Sequence, residues 1–187
     1  MFAQSTFWYR MEPDARFATV TVAEQDAHAI VGLRPFRGQP LREVWGSYAA
    51  WLTTSNPEEV PLVEADIMGF FAMNPALSRR AQDVLGEVFL GSGELLPLQS
   101  QSGWSVFNCT NVQDVLDPDR TLGERFPGKA TLMGVDKYVL RADALDGHDV
   151  LKVPERLAGD IFVSERVRRI IERHHLSGAL LFPVSLS

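Results

Sequence analysis

The stretch that decides the fold is residues 160–186, DIFVSERVRRIIERHHLSGALLFPVSL, because it encodes a strand, a helix and a second strand in succession. The short apolar run 161–163 predicts the first strand. Ser164 is a favourable N-cap for the helix that follows, and Gly178 is a favourable residue just beyond its end. Residues 179–184 predict the closing strand. The apolar stripe of the helix consists of Val167, Ile170, Ile171 and His174.

Most regular segments outside this unit are typical of short strands joined by turns. Residues 17–22 alternate in polarity and are rich in β-branched side chains, which favours a strand. Residues 95–98, 104–107 and 131–140 predict three more strands on the same grounds. Residues 60–71 are mainly apolar and predict a buried extended segment.

Two further helices are predicted upstream. Asn74-Pro75 is interpreted as a helix start, because asparagine is a good N-cap and proline fits the first helical position. Apolar residues spaced by three and four predict a second, shorter helix over residues 41–52. Strands outnumber helices, so we expect an α+β fold in which a mainly antiparallel sheet packs with two or three amphipathic helices. The apolar face of the helix after Pro75 consists of Leu77, Ala81, Val84, Leu85 and Val88.

The composition is that of an ordinary globular protein, with 45% hydrophobic and 22% charged residues. We expect a single domain over residues 1–187. The single cysteine, Cys109, excludes an intrachain disulfide and favours a reducing compartment. The N-terminus does not resemble a signal peptide, and no apolar run is long enough to span a membrane. A cytoplasmic protein without a membrane partner is the expectation.

The formal net charge of −6 is concentrated in the middle of the chain. Residues 66–120 carry seven acidic and three basic side chains. Nucleic-acid binding usually requires a basic patch, and the largest basic cluster lies on the predicted C-terminal helix. It consists of Arg166, Arg168, Arg169 and Arg173. We therefore expect no nucleic-acid partner.

Residue patterns for catalysis and metal binding are weak. His174 and His175 are adjacent on a predicted helix, where their side chains diverge by about 100° and cannot easily share one metal ion. Cys109 lies among apolar residues, where a buried cysteine behaves as a small hydrophobic side chain. The chain contains no phosphate-binding loop, dinucleotide fingerprint or metalloprotease motif. We expect no catalytic residue, no metal site and no cofactor.

The segment around residues 114–124 is the strongest candidate for a functional surface. Its acidic side chains have three interpretations: turn residues that accept backbone N–H groups, an acid–base pair, or an acidic patch for a basic partner. An exposed tryptophan after the polar turn 100–103 would be a favoured interface anchor. The candidate partner-binding residues are therefore Trp104, Asp114, Asp117, Asp119 and Glu124.

An ordered series of short motifs runs through residues 60–187. The series is Asp66, the Ser78 helix, Leu96-Pro97, Asn111-Val112, Leu116-Asp117, Phe162 to Glu165 and Gly178 to Phe182. In this order the motifs resemble those of bacterial polymorphic-toxin immunity proteins of immunity family eleven, the myxobacterial-type immunity domain. Thr121 stands where that family usually has a serine. Residues 1–60 add nothing to the resemblance.

The resemblance implies a protein without enzymatic activity that binds and neutralises a cognate toxin. Such toxins act in competition between bacteria, often after delivery by a contact-dependent or type VI secretion system. Two alternatives remain from the residues themselves. One is a small hydrolase or transferase that uses an acidic pair. The other is a ligand-binding adaptor domain with an apolar pocket among Phe70, Phe71, Trp104 and Phe107.

Overall fold

The computed structural model describes residues 7–33, 35–55, 61–71 and 73–187. Within them lie three α-helices, thirteen strands and two single-turn 3-10 helices, which confirms the predicted α+β class. The helices are α1 (Glu24–Gly32), α2 (Arg79–Leu90) and α3 (Glu165–Arg173), and the 3-10 turns are Ala142–Ala144 and Pro154–Arg156. The strands are β1 (Trp8–Pro13), β2 (Thr19–Val22), β3 (Ala50–Thr53), β4 (Ile67–Phe70), β5 (Asn74–Leu77), β6 (Gly93–Pro97), β7 (Ser105–Cys109), β8 (Leu122–Arg125), β9 (Leu132–Lys137), β10 (Val139–Leu140), β11 (Val150–Leu151), β12 (Ile161–Ser164) and β13 (Ala179–Leu186).

The predicted C-terminal order of strand, helix and strand is confirmed, and it builds the first sheet together with the N-terminal strand. The helix ends at Arg173 rather than next to Gly178, and His174 is an exposed C-cap residue rather than part of the apolar stripe. The order of this sheet is β10-β13-β1-β12-β11, with β1 antiparallel to both of its neighbours. Trp8 of β1 lies opposite Ser164 on one side and Val184 on the other. The first described strand is therefore held between two strands from the C-terminal end of the sequence, and its paired residues are 150 or more positions from their partners.

The second sheet has six strands in the order β3-β2-β4-β5-β7-β6. Its pairs are antiparallel except for β2 with β4, and a short hairpin of β8 and β9 stands apart from both large sheets. Strands β6 and β7 correspond to the strands predicted near residues 95–98 and 104–107. The strand predicted over residues 131–140 is divided into β9 and β10.

Three apolar cores lie on the faces of the two sheets. Consecutive residues of a strand point to opposite faces. Accordingly, Leu77 and Phe107 enter a central core, whereas their neighbours Ala76 and Val106 enter a second core. Phe162 enters a third core on the other face of the first sheet. The central core also receives the buried faces of α2 and α3, namely Ala81, Leu85, Val88, Phe89, Val167 and Ile171.

The predicted helix start at Asn74-Pro75 is wrong. These residues begin β5, which forms a hairpin with β4 in which Phe70 lies opposite Asn74. The Asn74 amide donates to the carbonyl of Phe70 instead of capping a helix. The helix begins four residues later, and the N-cap is Ser78, whose hydroxyl accepts from the backbone N–H of Ala81 at 3.1 Å.

The predicted helix over residues 41–52 is also wrong. Turns occupy the start of this segment and β3 its end. Its aromatic residues pack against one another, with the rings of Trp45 and Tyr48 5.0 Å apart, rather than along a helical stripe. Helix α1 was not predicted. Among its residues only Ile30 is buried, so the sequence contains no apolar stripe that would indicate a helix. The sequence Ser55-Asn56-Pro57-Glu58-Glu59 also predicts a turn, and most of it lies outside the described residues.

The two large sheets are joined where the ends of α2 and α3 meet β4. The carboxylate of Asp66, just before β4, accepts from the backbone N–H and the hydroxyl of Ser177 at 3.0 and 3.1 Å. It also accepts from the hydroxyl of Ser78 at 3.2 Å and from the guanidinium of Arg80 at 2.8 Å. The Asp66 carboxylate therefore connects the start of β4 with the start of α2 and with the loop after α3.

Gly178 lies at the same joint and is the one residue there that cannot carry a side chain. Its φ of 87° lies in the left-handed region, and a Cβ atom would stand 2.0 Å from the carbonyl oxygen of Ile67. The backbone passes this close because Ile67 donates its N–H to Ser177 and Gly178 accepts from the N–H of Asp14. Close contact between the sheets therefore depends on this glycine.

We expect Gly178→Ala to lower the free energy of unfolding by roughly 2–5 kcal/mol, from the left-handed backbone and the steric clash together. Gly147→Ala is the matched control, since Gly147 has a similar φ of 77° but nothing within 4 Å of its missing Cβ. The control should lose only about 1–2 kcal/mol. Urea unfolding of both variants measures the difference. Equal losses would show that the sheet joint does not require the close approach.

Candidate functional site

The acidic segment identified in the sequence is a surface loop anchored by two buried residues. We call residues 114–119 the acidic loop. Val115 and Leu116 lie in the third core with 1% and 2% of their surface exposed. The backbone is held on both sides, because Asp117 donates its N–H to Val139 and Val115 accepts from the N–H of Arg141. This anchoring keeps the three aspartates of the loop at the surface.

The carboxylate of Asp117 stabilises the loop itself. Its Oδ1 accepts from the backbone N–H groups of Asp119 and Arg120 at 3.0 and 3.1 Å. Partial burial acts to raise the pKa of Asp117, but the hydrogen bonds from Ser187 and from these two backbone groups outweigh it and lower the pKa. The turn interpretation therefore describes Asp117.

Asp114 and Asp119 present their side chains to solvent. The side chain of Asp114 is 77% exposed, with one oxygen 3.4 Å from the guanidinium of Arg141. Asp119 is exposed, and its carboxylate makes no ion pair with the described residues. Each carboxylate of the loop has its own surroundings, and the structure does not bring them together as an acid–base pair in a cleft.

Thr121 ends the acidic loop with a pair of hydrogen bonds. Its hydroxyl donates to the carbonyl of Val139 and accepts from the N–H of the same residue, both at 3.2 Å. A serine hydroxyl has the same donor and acceptor groups. The replacement of the serine expected from the resemblance is therefore chemically conservative.

The hairpin of β8 and β9, residues 122–137, follows directly after the acidic loop, and we call it the hairpin arm. Glu124 lies on its exposed strand β8, opposite Gly134 of β9. Three large apolar side chains of the arm are exposed: Leu122 by 56%, Phe126 by 41% and Met133 by 48%. Exposed apolar side chains grouped beside acidic ones are typical of protein-interaction surfaces. The sequence analysis singled out Glu124 but not the apolar residues around it.

Arg156 fixes the hairpin arm to the body of the protein. Its guanidinium donates to the carbonyls of Leu132 and Met133 at 3.3 and 2.8 Å. The same guanidinium contacts the carboxylate of Asp160 at 3.3 Å, and this carboxylate is buried and also accepts from the hydroxyl of Tyr138. The arm is therefore oriented by a buried acidic group rather than by apolar packing alone.

Trp104 does not belong to this surface. The prediction of an exposed anchor at this position is wrong, because Trp104 is 4% exposed and packs in the second core. Its indole N–H donates to the carboxylate of Glu64 at 3.0 Å. Burial of the ring beneath the turn 100–103 lets one polar side chain satisfy the indole donor, so the polar sequence around it gave a misleading signal.

The four residues of the predicted apolar pocket do not line a common cavity. Phe107 lies in the central core, whereas Phe70 and Trp104 lie in the second core, and Phe71 is 38% exposed. Phe71 has a φ of 44°, which turns its ring toward the edge of the Phe70 ring. The ligand-pocket alternative therefore has no basis at these residues.

The cysteine and two of the histidines occupy structural positions. Burial raises the pKa of Cys109 to about 11, which keeps the thiol protonated at neutral pH. His174 ends α3, and one ring nitrogen of His148 lies 3.3 Å from the amide of Asn111. Among the described residues no three histidine, cysteine or acidic side chains are grouped as metal ligands would be.

The arginines of α3 are largely neutralised. The guanidinium of Arg168 forms two 2.7 Å hydrogen bonds to Glu165, and Arg169 adds a third at 2.9 Å. These bonds, with Arg168 contributing most, lower the pKa of Glu165 to about 2. Arg166 is paired with Asp149 at 2.6 Å. Paired arginines are poor phosphate ligands, because their donors are already used.

Lys152 is a buried lysine that the sequence analysis did not single out. Its ammonium group has no exposed surface and donates to the carbonyls of Phe36, Leu157 and Gly159 at 2.8, 2.9 and 3.1 Å. Three carbonyl acceptors satisfy the three donors of a lysine. Burial nevertheless lowers its pKa to about 8, with the Cys109 thiol and Asp160 acting in the opposite direction. Lys152 therefore fixes two loops to the strand region rather than facing a cavity.

No protein-family model matches this chain, and the search of curated proteins finds no relative of it. The resemblance to immunity family eleven therefore stays a prediction. In the part of the chain that the structure describes, no helix combines the length and the apolar character needed to cross a bilayer. The fold and the site define an α+β protein with an exposed, partly apolar hairpin beside an acidic loop.

We expect Asp117→Ala to lower the thermal unfolding midpoint, because two backbone N–H groups lose their acceptor. Asp119→Ala is the matched control from the same loop, and its midpoint should stay close to that of the wild type because its carboxylate is exposed. Differential scanning calorimetry measures both. A loss of stability in the control as large as in Asp117→Ala would contradict the division of the loop into a structural and an exposed aspartate.

We expect the free energy of unfolding to rise between pH 8 and pH 9 through Lys152. The folded-state pKa of about 8 lies below the ordinary value of 10.5, so the unfolded chain binds more protons in this range. The slope for one such proton is at most about 1.4 kcal/mol per pH unit. Cys109 has a pKa raised from 9.0 to about 11, so it opposes part of the rise as the pH approaches 9, where the unfolded thiol begins to ionise.

Guanidinium titrations at pH 8 and pH 9 measure this rise. Lys152→Met should abolish it, whatever its effect on absolute stability. Cys109→Ala should retain the rise and make it somewhat steeper, because the unfolded thiol, with its ordinary pKa of 9.0, begins to ionise in this window while the buried thiol does not. An unchanged slope in Lys152→Met would show that the lysine does not titrate as its burial requires.

Proposed function

We propose that this protein is an immunity protein that binds a cognate antibacterial toxin and neutralises it by forming a stoichiometric complex. The observation that carries the proposal is the exposed surface formed by the hairpin arm and the acidic loop. Leu122, Glu124 and Met133 lie on a short two-stranded sheet outside the two main sheets, Phe126 follows β8, and Asp119 lies in the acidic loop before the arm; all five are exposed. Protein interfaces combine apolar anchors with a polar rim in this way.

The charge of the acidic loop favours a partner with a basic face, whereas the hairpin arm carries Arg125, Lys129 and Lys137 besides Glu124 and Asp136. The acidic loop contains three aspartates and no basic side chain, and the chain carries a net charge of −6. Complementary charges speed association and fix the register of two surfaces. The proposed complex would therefore form faster at low ionic strength, where screening is weak.

The rigid attachment of the arm supports a binding role. Ordering a flexible segment on binding costs free energy, so a preorganised surface binds more tightly for the same contacts. Arg156 holds two carbonyls of β9, and Leu132 anchors the same strand in the third core. Exposed apolar residues on a fixed frame lose little freedom when a partner covers them.

The acid–base alternative is less well supported by the geometry. Asp117 is occupied by backbone N–H groups, Asp114 is largely exposed beside Arg141, and Glu124 lies on the exposed strand of the arm. A general acid–base pair works in a shielded site that holds the substrate between its two members. The surface position of these carboxylates favours recognition over catalysis.

The proposal is tested by co-expressing this chain with the C-terminal domain encoded in the neighbouring reading frame. We expect a one-to-one complex by size-exclusion chromatography with light scattering, and protection of cells that express the toxin domain. The double variant Leu122→Ser with Met133→Ser should weaken the complex by about tenfold or more, since apolar anchors dominate such interfaces.

The control for this variant is Val31→Ser with Leu90→Ser. These residues lie on α1 and α2 and are 56% and 50% exposed, which matches the two residues of the arm. The control should bind as the wild type does. Equal binding by both double variants would remove the arm from the interface, and absence of both complex and protection would overturn the immunity function.

A further inference from the structure

A groove of about 680 Å³ lies between the turn at residues 42–47 and strand β6, on the edge of the second sheet. Its volume falls within the range of roughly 300–1,000 Å³ that is usual for small-molecule sites. No residue of the acidic loop or the hairpin arm lines it. The groove is therefore a separate feature from the proposed toxin-binding surface.

The wall opposite β6 is held in place by hydrogen bonds to the strand. The carboxylate of Glu94 on β6 accepts from the backbone N–H groups of Leu41 and Arg42 at 2.8 and 3.2 Å. It also accepts from the amide of Asn108 on the neighbouring strand at 2.9 Å. The backbone that carries Arg42 is thus fixed beside the edge of the sheet.

The indole ring of Trp45 is fixed as well. Its N–H donates to the carbonyl of Pro97 at 2.9 Å across the groove. The ring makes edge contacts with Tyr48 and with Phe36, at centroid distances of 5.0 and 6.4 Å. The half-buried ring and Leu95 of β6 both line the groove, the ring from the side of the second core and Leu95 from the side of the central core, so the groove runs along the edge of the sheet.

Two of the polar side chains that line the groove differ in their hydrogen bonding, since Gln82 is saturated and Arg42 is open. Gln82 donates to the carbonyls of Leu77 and Gly103 and accepts from the hydroxyl of Ser105, so its amide is fully engaged. Arg42 is the charged residue of the lining, and its exposed guanidinium makes no ion pair or hydrogen bond with any described residue. An unpaired guanidinium beside an apolar wall is complementary to a carboxylate on an apolar body.

We propose that this groove binds a small amphipathic carboxylate. The aromatic or branched aliphatic body packs against Trp45 and Leu95, and the carboxylate accepts two parallel hydrogen bonds from the guanidinium of Arg42. The chain as a whole is acidic, so a single open cation at this groove provides the charge that selects an anion. Binding here does not depend on the toxin-binding function.

The probe is 3-phenylpropanoate, titrated into the ¹⁵N-labelled full chain and followed by two-dimensional NMR. We expect saturable shifts of the Trp45 indole N–H and of the backbone N–H groups of β6. The neutral amide 3-phenylpropanamide should bind about tenfold more weakly or worse, because it lacks the charge that pairs with Arg42. Trp45→Phe assigns the indole signal among the four tryptophans.

Arg42→Gln should weaken binding of the carboxylate by about tenfold or more and leave the weak binding of the amide unchanged. Arg173→Gln is the control, since Arg173 is an exposed arginine in the last turn of α3, outside the groove. It should bind as the wild type does. If Arg42→Gln does not fold, the comparison of acid and amide on the wild type decides alone. Equal affinity for acid and amide, shifts confined to residues outside the groove, or no saturable shift would each overturn the proposal.

Discussion

The contact on which the rest of the structure depends is the joint between the two sheets at Asp66 and Gly178. The Asp66 carboxylate accepts hydrogen bonds from the start of α2 and from the loop after α3, while the absent side chain of Gly178 lets that loop touch β4. Because the start of α2 and the loop after α3 are both bound to Asp66, the apolar faces of the two helices pack together in the central core. A charged group therefore sets the geometry in which the apolar side chains pack.

The joint also determines what the surface can present. With β1 clamped between β12 and β13, the first sheet is covered on one face by the central core and on the other by the third core. The acidic loop and β9 contribute Leu116 and Leu132 to that third core. The hairpin arm is therefore attached to the third core through β9. Its exposed residues are held in position by this attachment rather than by contacts with one another.

The sequence predicted the α+β class, the C-terminal unit and most strand positions, because strong local patterns and turn residues govern those. It failed where tertiary contacts override local preference. Asn74-Pro75 has the chemistry of a helix start, yet burial on both faces draws it into a strand. Trp8 and Met11 enter different cores, as the alternation of a strand requires, so the apolar residues of β1 are not confined to one face and show no half-buried strand pattern. No sequence pattern indicates that Lys152 is buried, because its three carbonyl partners come from loops that are distant in sequence or irregular in structure.

The motifs that suggested an immunity protein coincide largely with residues that hold the fold. Asp66 and Gly178 form the joint, Asn111 donates to the carbonyl of Val150, and Asp117 caps its own loop. Residues of this kind define a fold, and proteins with the same fold can bind different partners. Recognition of one partner then depends on other residues, exposed at the surface. In this chain the frame bears a hairpin arm with apolar and acidic side chains. Specificity for one partner is therefore best sought in Leu122, Glu124 and Met133, outside the ordered motifs.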